Sequence, residues 1–119
     1  MIEKDIYSDK NIFSQIIEGS VDCNKVYEDN HTLAFYDINP QSPIHIIVVP
    51  KGKYLNYEHF CTKAPDFVVS NFFKTVSKIA TEHTDGKFRI ITNCGKDAGQ
   101  TIFHFHMHIL SGIQMDKLV

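Results

Sequence analysis

Three histidines near the C-terminus alternate with large apolar residues. His104, His106 and His108 are separated by single residues, and the intervening positions of residues 103–110 are apolar. This alternation predicts a β-strand, in which successive side chains point to opposite faces, so the three imidazoles share one face at spacings of about 7 Å. Near pH 7 an imidazole can act as a nucleophile, a proton carrier or a metal ligand. The pattern therefore predicts a reactive face on this strand.

Two other interpretations of the histidines stay open. A lone buried histidine is usually a structural residue with satisfied hydrogen bonds, although three in alternation are hard to explain by packing. Imidazoles two residues apart can also chelate a metal, with a further ligand drawn from His45, His59 or His83. The absence of cysteine and carboxylate from residues 103–110 argues against a metal site.

The segment before the histidines, residues 93–101, has features of a phosphate-binding loop. Gly99 permits close backbone approach to a ligand, while Gln100 and Thr101 offer an amide and a hydroxyl to phosphate oxygens. The same segment is also compatible with an ordinary hairpin turn. It lacks the Gly-Lys-Ser/Thr ending of a P-loop, which excludes an ATPase of that class.

The elements that must position these residues follow an α+β pattern. Apolar pairs four residues apart predict a short helix over residues 12–17 that ends at Gly19, and helical spacing predicts the main helix over residues 66–82. Short connections favour an antiparallel sheet over a doubly wound parallel one. We predict a five-stranded antiparallel sheet with one main helix and one short N-terminal helix. The predicted strands cover residues 26–27, 33–36, 44–49, 88–92 and 103–110.

The size and charge of the chain exclude several function classes. The 119 residues contain no internal linker and fit a single domain, 1–119. A net charge of −2 gives no positive field that would attract nucleic acid, so a small-molecule ligand fits better. Cys23, Cys61 and Cys94 lack metal-ligand spacing and can stay reduced, which favours the cytoplasm. The mixed charges of residues 1–5 do not predict a secretion signal, and no apolar run is long enough to span a membrane.

Residues 99–110 closely resemble the signature of the histidine triad (HIT) family, in which three histidines alternate with apolar residues and two apolar residues follow. Residues 33–45 are similar to the nucleoside-binding hairpin of the family's nucleotide-binding branch. Residues 11–17 are similar to the N-terminal helix of that branch. The resemblance covers most of the chain, apart from the first ten residues and residues 54–63, and it implies the HIT-like fold.

The resemblance implies roles for the matching catalytic positions. His106 is the implied nucleophile, His108 contacts the α-phosphate, and His104 and His45 orient the nucleophile and relay protons. Thr101 stands where the branch commonly has serine, and the implied role of its hydroxyl is proton donation to the leaving group. Taken alone, Asp37 could equally be a turn residue, and each apolar residue could be core. The implied phosphate contacts are Asn93, Gln100 and Thr101, beside Gly99, which permits close approach of the ligand. Asp37 is implied to contact the ribose, and the implied base pocket is Ile12, Phe13, Ile16, Phe35 and Ile38.

The implied reaction is hydrolysis of a purine nucleoside 5′-phosphoramidate or an aminoacyl adenylate through a nucleotidyl-histidine, with no metal or cofactor. Thr101 is also compatible with the dinucleoside polyphosphate hydrolases of the same family. A nucleotide-binding adaptor with incidental catalysis is an alternative of another class. Tyr54 occupies a position where some relatives carry histidine, so we expect no structural zinc.

The resemblance also implies a homodimer, in which the main helices and one strand from each subunit pack into a continuous sheet. Phe72, Phe73 and Val76 give more apolar helix surface than one small sheet obviously needs, which agrees with a covered face.

Overall fold

A single antiparallel sheet organises residues 6–118, the part of the chain that the computed structural model describes. Its order is β1-β2-β3-β5-β4, and neighbouring strands run antiparallel. The predicted α+β class and the five-stranded antiparallel sheet are confirmed. The charge pattern of residues 1–5 lies outside the described residues. The strands are β1 (Lys25–Glu28), β2 (Thr32–Tyr36), β3 (Ile44–Pro50), β4 (Arg89–Ile91) and β5 (Met107–Ser111).

Helices cover both faces of the sheet. Within residues 6–118 they are α1 (Ile12–Glu18), α2 (Tyr57–Lys63) and α3 (Asp66–His83). The prediction of two helices missed α2, a seven-residue helix capped by the Asn56 side chain, which accepts a hydrogen bond from the His59 amide. None of the helices described here is long and apolar enough to cross a membrane.

The central strand β3 is buried on both faces, which explains its nearly continuous apolar sequence. Ile46 and Val48 point to one face, where α2, α3 and the C-terminal part of the chain pack. Ile47 and Val49 point to the other face, against Phe13 of α1. This alternation divides the core into two clusters, because successive side chains of a strand lie on opposite sides.

Helix α1 begins and ends as predicted. The Asn11 side chain accepts a hydrogen bond from the Ser14 amide at the N-terminus. Gly19 closes the C-terminus with φ of 89°, a left-handed conformation that costs glycine little. These two caps fix the position of a short helix whose buried Phe13 faces the histidine segment.

Two predictions about the C-terminal half were wrong in detail. The predicted strand over residues 103–110 is regular only from Met107 to Ser111, so His104 and His106 precede β5. Phe72 and Val76 are buried in the chain's own core, and Phe73 packs against that core. These three residues therefore leave no spare apolar helix face for a partner.

Candidate active site

A cavity of about 350 Å³ lies between α1, the turn after β2 and the loop before the histidines. One end is apolar and the other is polar, as a site for a nucleotide requires. All five residues predicted for the base pocket line the apolar end: Ile12, Phe13, Ile16, Phe35 and Ile38. The polar lining includes six of the other predicted residues: Asp37, Asn93, Gly99, Thr101, His106 and His108.

His106 is the more buried of the two imidazoles that line this cavity. Its Nδ1 lies 2.7 Å from the main-chain oxygen of His104, and a carbonyl oxygen can only accept, so Nδ1 carries the hydrogen. The Nε2 atom of the neutral ring therefore has the free lone pair. Burial lowers the pKa of His106 below its usual range, more than the hydrogen bond and the charge of Asp37 raise it. The ring is thus held neutral, with the Nε2 lone pair available.

A second chain of hydrogen bonds fixes His108. The Gln41 amide donates to Nδ1 of His45 over 3.0 Å, so neutral His45 carries its hydrogen on Nε2. That Nε2 lies 2.9 Å from Nδ1 of His108 and donates to it. His108 therefore presents an Nε2–H donor. Burial, assisted by the neighbouring rings of His106 and His45, lowers the pKa of His108 to about 4.

His104 has a different position from the other two histidines of the segment. Its side chain is fully buried and does not line the cavity. Nε2 donates to the main-chain oxygen of Pro50 over 2.7 Å, and Nδ1 contacts the hydroxyl of Tyr7. Burial lowers the pKa of His104 to about 4. The expected orienting role fits this geometry, whereas direct proton relay to a substrate does not.

Asp37 combines the two roles weighed for it from sequence. One carboxylate oxygen accepts a hydrogen bond from the Asn39 amide over 2.8 Å, as in a side-chain-capped turn. The other lies 3.4 Å from Nε2 of His45. The turn thereby fixes a carboxylate at the junction between the apolar pocket and the histidines.

The loop before the histidines is held from behind by Gln100. This side chain is buried, with its amide nitrogen 2.8 Å from the oxygen of Leu55 and 2.9 Å from that of Ile102. Its amide oxygen accepts from the Gly95 amide over 2.8 Å. The predicted contact of Gln100 with phosphate is therefore wrong: its donors are already used, and it braces the loop.

Gly99 and Asn93 form the part of the loop that faces the cavity. Gly99 has φ of 100°, and a Cβ there would lie 3.7 Å from the Asn93 carboxamide carbon. A side chain at this position would be strained by the backbone conformation, which accounts for glycine here.

Several lining residues had no sequence signal that pointed to them. Tyr36 ends β2, and residues 21–23 follow the last turn of α1, where neither periodicity nor composition predicts a ligand contact. Tyr7, behind the site, lies in a segment outside the family resemblance. Its position two residues before the Asp9-Lys10 turn gave no indication that it reaches His104.

One group of residues within the described range has donor atoms close enough for a metal ion. Ligand atoms of Asp37, His45 and His108 lie within 4.8 Å of one another. Here His45 and His108 are hydrogen-bonded to each other. The other ligands considered from sequence lie elsewhere, since His59 accepts from the Leu55 amide and His83 ends α3. The three histidines 104, 106 and 108 thus do not converge on one point as a metal site requires.

Comparison with known proteins agrees with this geometry. The HIT domain model matches residues 18–115. An uncharacterized HIT-like protein of Rickettsia prowazekii is 42% identical over 116 residues, covering 96% of this chain and 97% of that protein. A histidine triad protein from Clostridium difficile has a TM-score of 0.82 at 39% identity, over 96% of this chain and 100% of the other. A HIT family hydrolase from Clostridium thermocellum has a TM-score of 0.81 at 31% identity, over 94% and 99%. This chain, with its three alternating histidines, belongs to the HIT family.

Proposed function

We propose that this protein is a nucleotide hydrolase that cleaves purine nucleoside 5′-phosphoramidates or aminoacyl adenylates through a nucleotidyl-His106 intermediate. The observation that carries the proposal is the hydrogen bond from Nδ1 of His106 to the His104 oxygen, which leaves Nε2 free beside the cavity. The description of the Clostridium thermocellum relative as a hydrolase supports the reaction class.

The proposed reaction proceeds in two displacements at phosphorus. The Nε2 lone pair of His106 attacks the α-phosphorus, and the bond from phosphorus to the leaving nitrogen or carboxylate oxygen breaks. A leaving amine takes up a proton, and the Thr101 hydroxyl at the rim of the cavity is the proposed donor. Water then attacks the phosphorus and the bond from phosphorus to Nε2 breaks, which releases the nucleoside monophosphate and regenerates neutral His106. Where Thr101 has protonated an amine, the proton that the water loses restores the Thr101 hydroxyl.

The remaining polar groups are suited to the charge that develops. His108 offers an Nε2–H to the phosphate oxygens, and Asn93 supports it from the loop. Asp37 is the proposed acceptor for the ribose hydroxyls, and the apolar end would hold the base. The proposed mechanism uses no metal or cofactor, since the attacking nitrogen is already deprotonated at neutral pH.

Dinucleoside polyphosphate hydrolysis is the second candidate, favoured by threonine at position 101 where the phosphoramidase branch commonly has serine. The same two displacements would apply, with a nucleotide as the leaving group. Comparing turnover of diadenosine triphosphate with that of adenosine 5′-phosphoramidate separates the two candidates. An adaptor with incidental catalysis would bind nucleotide yet turn over neither compound.

We also propose that the protein acts as a cytoplasmic homodimer. The three cysteines are unpaired, as expected in a reducing compartment. The exposed apolar edge of the sheet at β4 supports self-association, and its test is argued in the Discussion.

The test is release of nucleoside monophosphate from adenosine 5′-phosphoramidate in the presence of EDTA. The wild type should turn over, and His106→Ala should reduce kcat by at least about a thousandfold, because the nucleophile is lost. His83→Ala, at the end of α3, is the matched control and should retain activity. Intact-mass measurement of a rapidly quenched wild-type reaction should also detect one added nucleoside monophosphate. Activity that EDTA abolishes, or that survives in His106→Ala, would contradict the proposal.

A further inference from the structure

The N-terminal segment before α1 reaches the back of the histidine cluster. The half-buried Tyr7 places its hydroxyl in hydrogen-bond contact with Nδ1 of His104, and the two rings meet edge to face with centroids 5.5 Å apart. These residues are 97 positions apart in sequence. The contact therefore joins the start of the described chain to the segment that carries the proposed nucleophile.

The direction of this hydrogen bond follows from the other side of the ring. Nε2 of His104 faces the Pro50 carbonyl, which can only accept, so neutral His104 carries its hydrogen there. Nδ1 then has a lone pair and needs a donor. The hydroxyl of Tyr7 supplies one, and without it a buried acceptor would have no partner among the described residues, which is costly in a desolvated site.

Resting on the proposed function, we propose that Tyr7 is a positioning residue for the reaction. Its hydroxyl, together with the Pro50 oxygen, fixes the ring and hence the backbone of His104. The carbonyl of that same residue holds the hydrogen on Nδ1 of His106 and so directs the lone pair of Nε2 to the cavity. Tyr7 touches neither the cavity nor the substrate in this scheme, and it acts through His104.

The segment has a second anchor that serves as a control. Asp9 forms an ion pair with Lys53 at 3.0 Å, and both side chains are exposed to solvent. Exposed pairs contribute little to stability, and this one has no link to the histidines. Asp9→Ala therefore loosens the same segment without removing the hydroxyl.

The first test compares Tyr7→Phe with Asp9→Ala in the phosphoramidate assay. Tyr7→Phe keeps the edge-to-face ring contact and removes only the hydroxyl. We expect kcat to fall about tenfold while KM changes by less than about twofold, as for loss of one buried hydrogen bond that acts on the nucleophile alone. Asp9→Ala should match the wild type. Equal kcat in Tyr7→Phe and wild type, or a loss that appears only in KM, would overturn the proposal.

A double-mutant cycle separates positioning from general support of the fold. In a His104→Ala background the Tyr7 hydroxyl has no imidazole partner, so adding Tyr7→Phe should change kcat by less than about twofold. A hydroxyl that merely stabilises the N-terminal segment would cause the same loss in both backgrounds, which would overturn the assignment.

Nitrogen-15 NMR of the imidazoles tests the arrangement without any turnover. In the wild type, His104 should carry its hydrogen on Nε2 and accept a hydrogen bond at Nδ1. His106 should carry its hydrogen on Nδ1. Tyr7→Phe should shift the Nδ1 resonance of His104 and make the tautomer of His106 mixed. Unchanged spectra would refute the positioning role even if the enzyme is active. If the spectra change in Tyr7→Phe but the wild type shows no turnover, the proposed function is refuted, while the effect of Tyr7 on His104 and His106 is supported.

Discussion

Main-chain atoms, directly or through the His45 ring, decide which nitrogen of each histidine of the site carries hydrogen. The carbonyls of His104 and Pro50 can only accept, and the Gln41 amide can only donate. The tautomers of His106, His104 and His45 follow from these three contacts. His106 therefore has a free Nε2 lone pair and His108 an Nε2–H, because Nδ1 of His106 donates to a carbonyl whereas Nδ1 of His108 accepts from His45.

The buried neutral histidines should make stability fall as the pH is lowered. The pKa of His104 is about 4 in the folded protein, below its ordinary value of 6.5. Below pH 6.5, His104 binds a proton in the unfolded chain but stays neutral in the folded protein. The stability that depends on neutral His104 is therefore complete above pH 6.5 and is lost as the pH falls toward 4. Between pH 7 and pH 5 we expect His104 alone to lower the free energy of unfolding by about 2 kcal/mol.

Urea denaturation at pH 7, 6 and 5 measures this dependence. His104→Gln should be less stable than the wild type at pH 7 yet lose less stability on acidification, because the titrating ring is gone. A wild-type free energy of unfolding that is flat from pH 7 to pH 5 would show that His104 is not held neutral by burial.

The charge of Asp37 should matter for ribose recognition. Asp37→Asn keeps an oxygen that can accept from the Asn39 amide, so the turn persists. It removes the negative charge that we propose accepts the ribose hydroxyls, and KM for the ribonucleotide substrate should rise about tenfold. With a 2′,3′-dideoxy substrate the variant and the wild type should have similar KM values. An equal penalty on both substrates would assign Asp37 to the turn or to His45 instead.

At the scale of the elements, Gln100 connects the loop before the histidines to the segment before α2. Gln100→Ala leaves the Leu55 and Ile102 oxygens and the Gly95 amide without these partners. We expect the free energy of unfolding to fall by about 3 kcal/mol, since each buried unpaired group costs about 1–3 kcal/mol. Chemical denaturation checks this value, with the exposed Gln114→Ala as a control that should lie within about 0.5 kcal/mol of wild type. If the free energy of unfolding of Gln100→Ala also lies within about 0.5 kcal/mol of wild type, water replaces the hydrogen bonds of the Gln100 side chain.

Much of the site could be predicted because its residues alternate or match the family signature. The apolar face of the alternation holds for Phe105, Met107 and Ile109, which lie in the core, but not for Phe103, which is exposed. The alternation could not reveal that residues 103–106 are irregular, because their backbone partners lie elsewhere. The Phe105 amide donates to the oxygen of Tyr54, and the Thr92 hydroxyl donates to the oxygen of His106.

The elements that were missed have weak local signals. Helix α2 buries only Phe60, so no apolar periodicity marks its seven residues, and its tertiary packing decides its conformation. The roles of Tyr7 and Gln100 depend on partners 97 and 45 positions away. Such contacts leave no pattern in a single sequence, whereas a glycine cap such as Gly19 acts within one turn and was predicted.

At the scale of the molecule, the two edges of the sheet differ in chemistry. Strand β1 carries Lys25 and Glu28, which pair at 2.5 Å, and Lys51 also binds Glu28. Charged side chains of this kind protect an edge from pairing with another strand. At the opposite edge, β4 exposes Ile90, which is 41% accessible, and Phe88 just before this strand is exposed as well. This apolar edge is the surface at which we propose that a second copy of the chain binds.

A dimer through β4 should therefore depend on Ile90 and not on β1. Light scattering after size exclusion should give the wild type twice the 13.7 kDa mass of one chain. Ile90→Glu places a charge on the pairing edge, where burying it against a second copy is unfavourable, so this variant should elute with the mass of one chain. Lys25→Glu, on the β1 edge, is the matched control and should remain dimeric. A wild type at the mass of one chain would remove the dimer proposal, and a Lys25→Glu monomer beside an Ile90→Glu dimer would transfer the interface to the other edge.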